Sequence, residues 1–168
     1  GKPVDIKPWM AFVFQQIYGW KLNNGNRRIR KVYVQIAKKN AKTTLAAILS
    51  NFHLFADDFV KTPKIYVGAN SEDQAKLTVN ITGKIIEQSP ALYEYVDEGV
   101  VRLFNYKENI VNIVHEDRDG FVKALSKETG NQKSAAAGNK HGINCSLAII
   151  DEYAFADTDA LLNTMESA

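Results

Sequence analysis

The sequence predicts an α/β fold, a mainly parallel sheet flanked by helices. Three observations carry this. β-rich apolar runs alternate with stretches of helical spacing. The run "SLAIIDEYAF", residues 146 to 155, stays apolar until two acids, as a central strand covered on both faces does. The run "KVYVQIA", 31 to 37, passes into "AKKNAKTTLAA", 37 to 47, a basic turn opening an apolar helix.

A chain of 168 residues suits one domain and can bury a real core. It is 45% hydrophobic and 24% charged, ordinary for a soluble globular protein. The net charge of +2, from 21 Lys and Arg against 19 Asp and Glu, does not by itself imply a nucleic-acid partner. The basic residues are uneven, however. Residues 27 to 42 hold seven Lys or Arg and no acid. They form either a solvated edge around one strand or an anion site. Cys145 is alone, so no internal disulfide can form, and its small apolar neighbours favour a buried structural thiol over a nucleophile. No run reaches the ~18 apolar residues of a membrane span. No signal peptide is visible, so an intracellular protein is expected.

Residues 8 to 22 read as a helix. Pro8 suits its first turn, and Trp9, Phe12, Val13, Gln16, Ile17 and Trp20 recur at helical spacing. "NNGN", 23 to 26, signals a turn. After the strand 31 to 37, Thr43 to Phe55 reads as an apolar helix. "KIYVGAN", 64 to 70, is a second buried strand. Ser71 with Gln74 then forms a capping-box pattern, and the helix runs to about Gln88 with Ala75, Thr78, Val79, Ile85 and Ile86 on one side. Pro90 stops it. "VVRLF", "NIVNIVH" and "GFVKALS" are short strands, partly antiparallel, with turns at "NYKEN" and "EDRDG". Residues 127 to 144 read as loop and 158 to 168 as helix.

The quoted turn resembles the phosphate loop G-x-x-x-x-G-K-[ST]. Ile36 and Ala41 occupy the two glycine positions, and Lys42 and Thr43 follow. Such a loop aims backbone N–H groups and a helix N-terminus at phosphate oxygens. Lys42 adds a point charge and Thr43 a hydroxyl for magnesium. Ala41 is the mildest replacement for glycine, though positive φ costs a non-glycine residue of order 1 kcal/mol. Alone, the turn is a weak signal. The apolar strand ending at Asp151 and Glu152 strengthens it, because strand ends in open α/β sheets form the ligand crevice. Asp151 can bind magnesium and Glu152 can activate water, completing the parts that phosphoryl transfer needs. The alternative is that Asp151 merely caps the next helix and Glu152 is exposed. The whole reads as a P-loop NTPase-like fold of the ASCE type.

At this point nearly the whole chain resembles the ATPase part of the large terminase subunit, the DNA-packaging motor of tailed bacteriophages. The resemblance rests on "KPWMAFVFQQIYGWK", "AKKNAKTTLAA", "NSEDQAK", "FVKALSKE" and "HGINCSLAIIDEYAF", in that order. It implies ATP and Mg2+ as cofactors. It implies a nucleotide cradle over Lys38, Lys39, Asn40, Ala41, Lys42, Thr43 and Thr44 within a phosphate loop at 36 to 44. Thr43 and Asp151 become magnesium ligands, the latter on an acidic strand at 146 to 152, and Glu152 the catalytic carboxylate. Lys38 falls where the family usually has an arginine acting on the γ-phosphate, and a lysine cannot make the flat bidentate contact. The helix at 8 to 22 resembles the adenine-side segment. There Met10 replaces the usual Gln and could pack on a base without reading its edge. Trp9 fits core packing better than an adenine platform.

The implied partners are double-stranded DNA, the small terminase subunit, the portal protein and further copies of the chain, in the cytoplasm of an infected bacterium and with no membrane. Residues 132 to 142 read either as a loop approaching DNA or a neighbouring subunit, or as solvated surface. His53 reads as structural, and His115 and His141 take no catalytic role. Arg102 and Arg118 read as surface ion-pair residues. The family's coupling segment and nuclease domain do not fit after Ala156, so the chain reads as a partial ATPase domain truncated at its C-terminal end, with weak or absent hydrolysis expected of it alone. Two other functions fit the residues: a helicase- or recombination-type P-loop ATPase, and a non-hydrolysing scaffold or DNA-binding module.

Overall fold

The structure, a computed structural model, describes residues 5–69, 71–125 and 145–151. The expected loop at 127 to 144, the helix at 158 to 168 and Glu152 lie outside the described residues.

Helix α1 spans Pro8–Gly19. It stops short of residue 22 because Trp20 turns to extended backbone and the chain enters a hairpin, with Lys21 pairing antiparallel to Arg27. Gly25 supplies the positive φ of that turn, +82°. The buried face of α1 also differs from the expected stripe. Met10 is 2% exposed, whereas Phe12 and Trp20 are 60% and 52% exposed. Apolar residues ring this helix almost completely, so spacing alone did not fix which side turns inward.

Residues 31 to 37, expected as a strand, form no ladder among the described residues. Their β-rich composition favours a pleated, half-buried surface, and no such surface forms around them here. Helix α2, Lys42–Asn51, continues into a π-helical turn at Phe52–Ala56. Strand β1, Lys64–Gly68, leads into α3, Glu72–Gln88. Ser71 caps α3 by accepting a hydrogen bond from Gln74 N at 3.2 Å. Glu72 and Asp73 complement the helix dipole. Pro90 does end α3, but it also opens a helix that the sequence reading missed, α4, Pro90–Asp97.

Three antiparallel-linked strands follow: β2, Val101–Tyr106, β3, Asn109–His115, and β4, Gly120–Ala124. The last described strand is β5, Leu147–Ile150. The sheet order is β2-β3-β4-β1-β5. Strands β2, β3 and β4 pair antiparallel, and β4, β1 and β5 pair parallel, so the sheet is mixed. Expected as central, β5 is instead an edge strand among the described strands and only half-buried, because 31 to 37 form no ladder beside it. The core lies between the sheet and α3. Val79 and Ile86 of the helix meet Ile65, Val67, Ile110, Ile113 and Val122 of the strands. At Gly83 the approach is so close that a Cβ would stand 2.5 Å from Ile110 Cδ1.

Candidate nucleotide site

Chain direction determines which end of α2 faces the acidic strand. The parallel strands β1 and β5 finish together: Gly68 lies opposite Ile150, and Asp151 N donates to Gly68 O at 2.9 Å. At the other edge, where β1 and β4 begin, Phe121 N donates to Pro63 O at 2.9 Å. The segment leaving α2 arrives at that starting edge, because Arg118, two residues before β4, donates to Leu54 O, Asp57 O and Val60 O at 2.9, 2.7 and 2.5 Å. Helix α2, about 15 Å long, therefore runs toward the starting edge. Its N-terminal end, with Lys42, points toward the finishing edge, where Asp151 stands. Asn51 Nδ2 donates to Thr82 O at 3.2 Å, in the second half of α3, which agrees with α2 and α3 running the same way. In open α/β sheets the finishing edge is where ligands bind.

The turn before α2 contains two left-handed residues. Ala41 is left-handed, φ 56° and ψ 33°, at the position where the motif has its second glycine. Lys39 is left-handed as well, φ 66°, a feature the residue pattern did not reveal. The Asn40 amide closes the turn by donating to Ala37 O at 3.2 Å and Lys38 O at 3.4 Å. Among the described residues no side chain caps α2, and its first turn holds no acid, so its leading N–H groups have no capping side-chain acceptor there. Lys38 and Lys39 are exposed, and Lys42, Thr43 and Thr44 are half-buried. None of the three lysines forms an ion pair among the described residues. A left-handed turn, uncapped N–H groups and unneutralised cations make an anion cradle that suits a polyphosphate.

Among the described residues, the Thr43 hydroxyl and the half-buried Asp151 carboxylate are two oxygen donors toward this end of the sheet. No group of three or more His, Cys, Asp or Glu is found among the described residues. That set fits magnesium, which keeps several waters and takes one or two protein oxygens besides phosphate.

The far end of α2 is anchored by a polar cluster that sequence reasoning saw only in part. His53, 1% exposed, has its Nε2 2.8 Å from the Tyr18 hydroxyl of α1 and its Nδ1 3.2 Å from Asp57 Oδ2. Arg27 reaches Asp57 and stands over the Tyr18 ring. Burial, together with Arg27 and Arg118, lowers the His53 pKa to about 4 against the opposing pull of Asp57, so the ring is neutral at pH 7. Burial likewise raises the Tyr18 pKa. His53 is structural, as expected. Arg118, expected as a surface ion-pair residue, instead donates from its guanidinium to three backbone carbonyls, Leu54 O, Asp57 O and Val60 O, of which Asp57 O also accepts from Val60 N at 3.3 Å. Arg102 does pair with Glu116 at the surface. The sequence signal for this cluster was the i, i+4 spacing of His53 and Asp57.

Met10, at 2% exposure, is packed within the protein and not presented to a base. Trp9 is half-buried. Cys145 is half-buried beside Tyr66, Leu125, Phe121 and Ile150, and burial raises its pKa, away from nucleophile chemistry. No described helix is long and apolar enough to cross a membrane.

Comparison with known proteins follows the same lines. The chain is 29% identical over 152 residues to the terminase large subunit of Enterobacteria phage HK97, covering 90% of this chain and 26% of that protein. The crystal structure of the HK97 bacteriophage large terminase has the same fold, with a TM-score of 0.72 at 24% identity over the full chain and 31% of the HK97 chain. The chain thus spans between a quarter and a third of the length of these relatives. Residues 8–168 match the family described as "Terminase large subunit, ATPase domain", and the chain belongs to that family.

Proposed function

We propose that this chain is the nucleotide-hydrolysing part of a phage DNA-packaging motor, binding ATP with magnesium and using it to move double-stranded DNA into a procapsid. The observation that carries this reading is the left-handed turn at Ala41 opening an uncapped α2, in a member of a terminase ATPase family. Lys42 and the first-turn N–H groups of α2 would hold the β- and γ-phosphates. Thr43 and Asp151 would hold magnesium, which when bound neutralises charge on the phosphates. Glu152 is assigned the proton of the attacking water, and Lys38 and Lys39 the outer phosphate oxygens. Lys38 supplies charge without the planar fork of an arginine, so it positions by attraction rather than by bidentate contact. The small terminase subunit, the portal protein and further copies of the chain complete the assembly, in the cytoplasm of the infected bacterium.

Titration of labelled ATP with magnesium tests the reading. Wild-type chain should bind, and Lys42→Ala should weaken binding at least tenfold. Equal affinity for the two proteins, or no binding by either, refutes the nucleotide assignment and favours a scaffold.

A further inference from the structure

A second basic feature lies away from the nucleotide site. Residues 21 to 31 carry Lys21, Arg27, Arg28, Arg30 and Lys31 and no acid. The hairpin they build is held by Leu22 N donating to Asn26 O at 2.8 Å, Gly25 N to Leu22 O at 2.9 Å and Arg28 N to Trp20 O at 3.0 Å. Four of these five cations divide into two sets. Arg27 turns inward to Asp57 and Tyr18, and Lys21 sits over the Phe59 ring at 4.5 Å. Arg28 and Arg30 turn outward. Exposure alternates along this stretch, with Arg27 and Ile29 half-buried and Arg28 and Arg30 exposed. Arg28 stands at the bend that follows the Lys21–Arg27 bridge, and Arg30 comes two residues later in the same exposed stretch. Neither Arg28 nor Arg30 forms an ion pair among the described residues.

Beside them lies an open depression of about 440 Å³ lined by Lys21, Leu22, Asn23, Asn24 and Arg28. It is a shallow surface, suited to the edge of a polymer rather than to an enclosed small molecule. The anchor of the hairpin places it. Asp57 and Phe59 belong to the segment at the starting edge of β1 and β4, whereas the phosphate loop points to the finishing edge. The two cationic surfaces therefore lie toward opposite ends of the sheet, and one nucleotide does not serve both.

We propose that the Lys21–Lys31 hairpin is a second anion site, separate from the nucleotide site, that seats the phosphodiester backbone of double-stranded DNA through Arg28 and Arg30. This rests on the packaging-motor reading for the identity of the polyanion. Backbone contacts of this kind hold a duplex without reading its sequence, and each neutralises one phosphate and releases the counterion condensed on it.

The test is duplex binding by fluorescence anisotropy across a salt series, with ATP binding measured on the same samples and folding checked by circular dichroism. Arg28→Ala with Arg30→Ala should weaken duplex binding at least tenfold at low salt and reduce the slope of log affinity against log salt by about two. Arg28→Lys with Arg30→Lys should keep the slope, and ATP affinity should stay at the wild-type value in both. Gln at both positions is the second neutral variant should Ala disturb the hairpin, and the same loss is required of it. An unchanged slope in a folded neutral variant overturns the site, as does a loss of ATP rather than of DNA. A wild-type chain that binds ATP but no duplex overturns this site alone. A chain that binds duplex through the hairpin but no ATP leaves it standing and overturns the nucleotide reading instead.

Discussion

Ala41 carries the most informative single conformation in the chain. A methyl group held at φ 56° costs of order 1 kcal/mol that glycine would not. Ala41→Gly should therefore raise stability by up to about 1 kcal/mol, less the extra freedom that glycine gives the unfolded chain. A β-branched Val should lower it by more than that. Chemical denaturation of the three proteins checks both directions. His53 gives a pH prediction. Its folded pKa, about 4, lies below the ordinary 6.5, so the unfolded chain binds more protons between those values. Stability is then full above about pH 6.5 and falls as pH drops toward 4, by up to roughly 3 kcal/mol. Urea melts at pH 7 and pH 5 should show the loss, and His53→Gln should flatten it. Arg118→Ala should cost about 2 kcal/mol by taking the guanidinium donors from Leu54 O and Val60 O, while Asp57 O keeps its bond from Val60 N. Thermal melts measure that loss, and Lys should not rescue it, because one ammonium cannot span the fork.

At the scale of elements, the close contact of α3 with β3 is set at Gly83. Alanine is the better helix former by about 1 kcal/mol, yet here its Cβ would stand 2.5 Å from Ile110 Cδ1 and 2.8 Å from Ile110 Cγ2. The clash should win, and Gly83→Ala should destabilise by about 1–2 kcal/mol in denaturant titration. A gain in stability would show that Ile110 repacks freely. The sequence made α3 legible because two signals agreed there: the Ser71 cap and the 3.6-residue stripe. It made β1 to β4 legible because turn residues bracket short β-branched runs. It hid α4, because Pro90 signals both the stop of one helix and the first turn of the next. Among the described residues, 31 to 37 and the centrality of β5 depart from expectation for one shared reason. Strand formation depends on a neighbour, and a neighbour is not written in the local residues. The buried stripe of α1 was hidden by the opposite fault, apolar residues on nearly every side.

For the molecule as a whole, the α/β class and the motif order were legible because each motif sits at a boundary between strand and helix, where composition changes sharply. The polar cluster of Tyr18, Arg27, His53, Asp57 and Arg118 was not. Its members are up to a hundred residues apart, and only the fold brings them together. That cluster ties α1 and the basic hairpin to the far end of α2, while the near end of α2 opens the phosphate loop. One helix thus links the turn at Ala41 to the basic hairpin at the opposite end of the sheet.

The central claim is that the turn before α2 and the end of β5 share one metal–nucleotide complex. Paramagnetic broadening in the amide spectrum reads this directly when Mn2+ replaces Mg2+ with bound ATP. The account predicts that the Thr43, Thr44 and Asp151 resonances vanish together in the wild type and persist in Lys42→Ala. Broadening confined to α2, or to β5 alone, would contradict it.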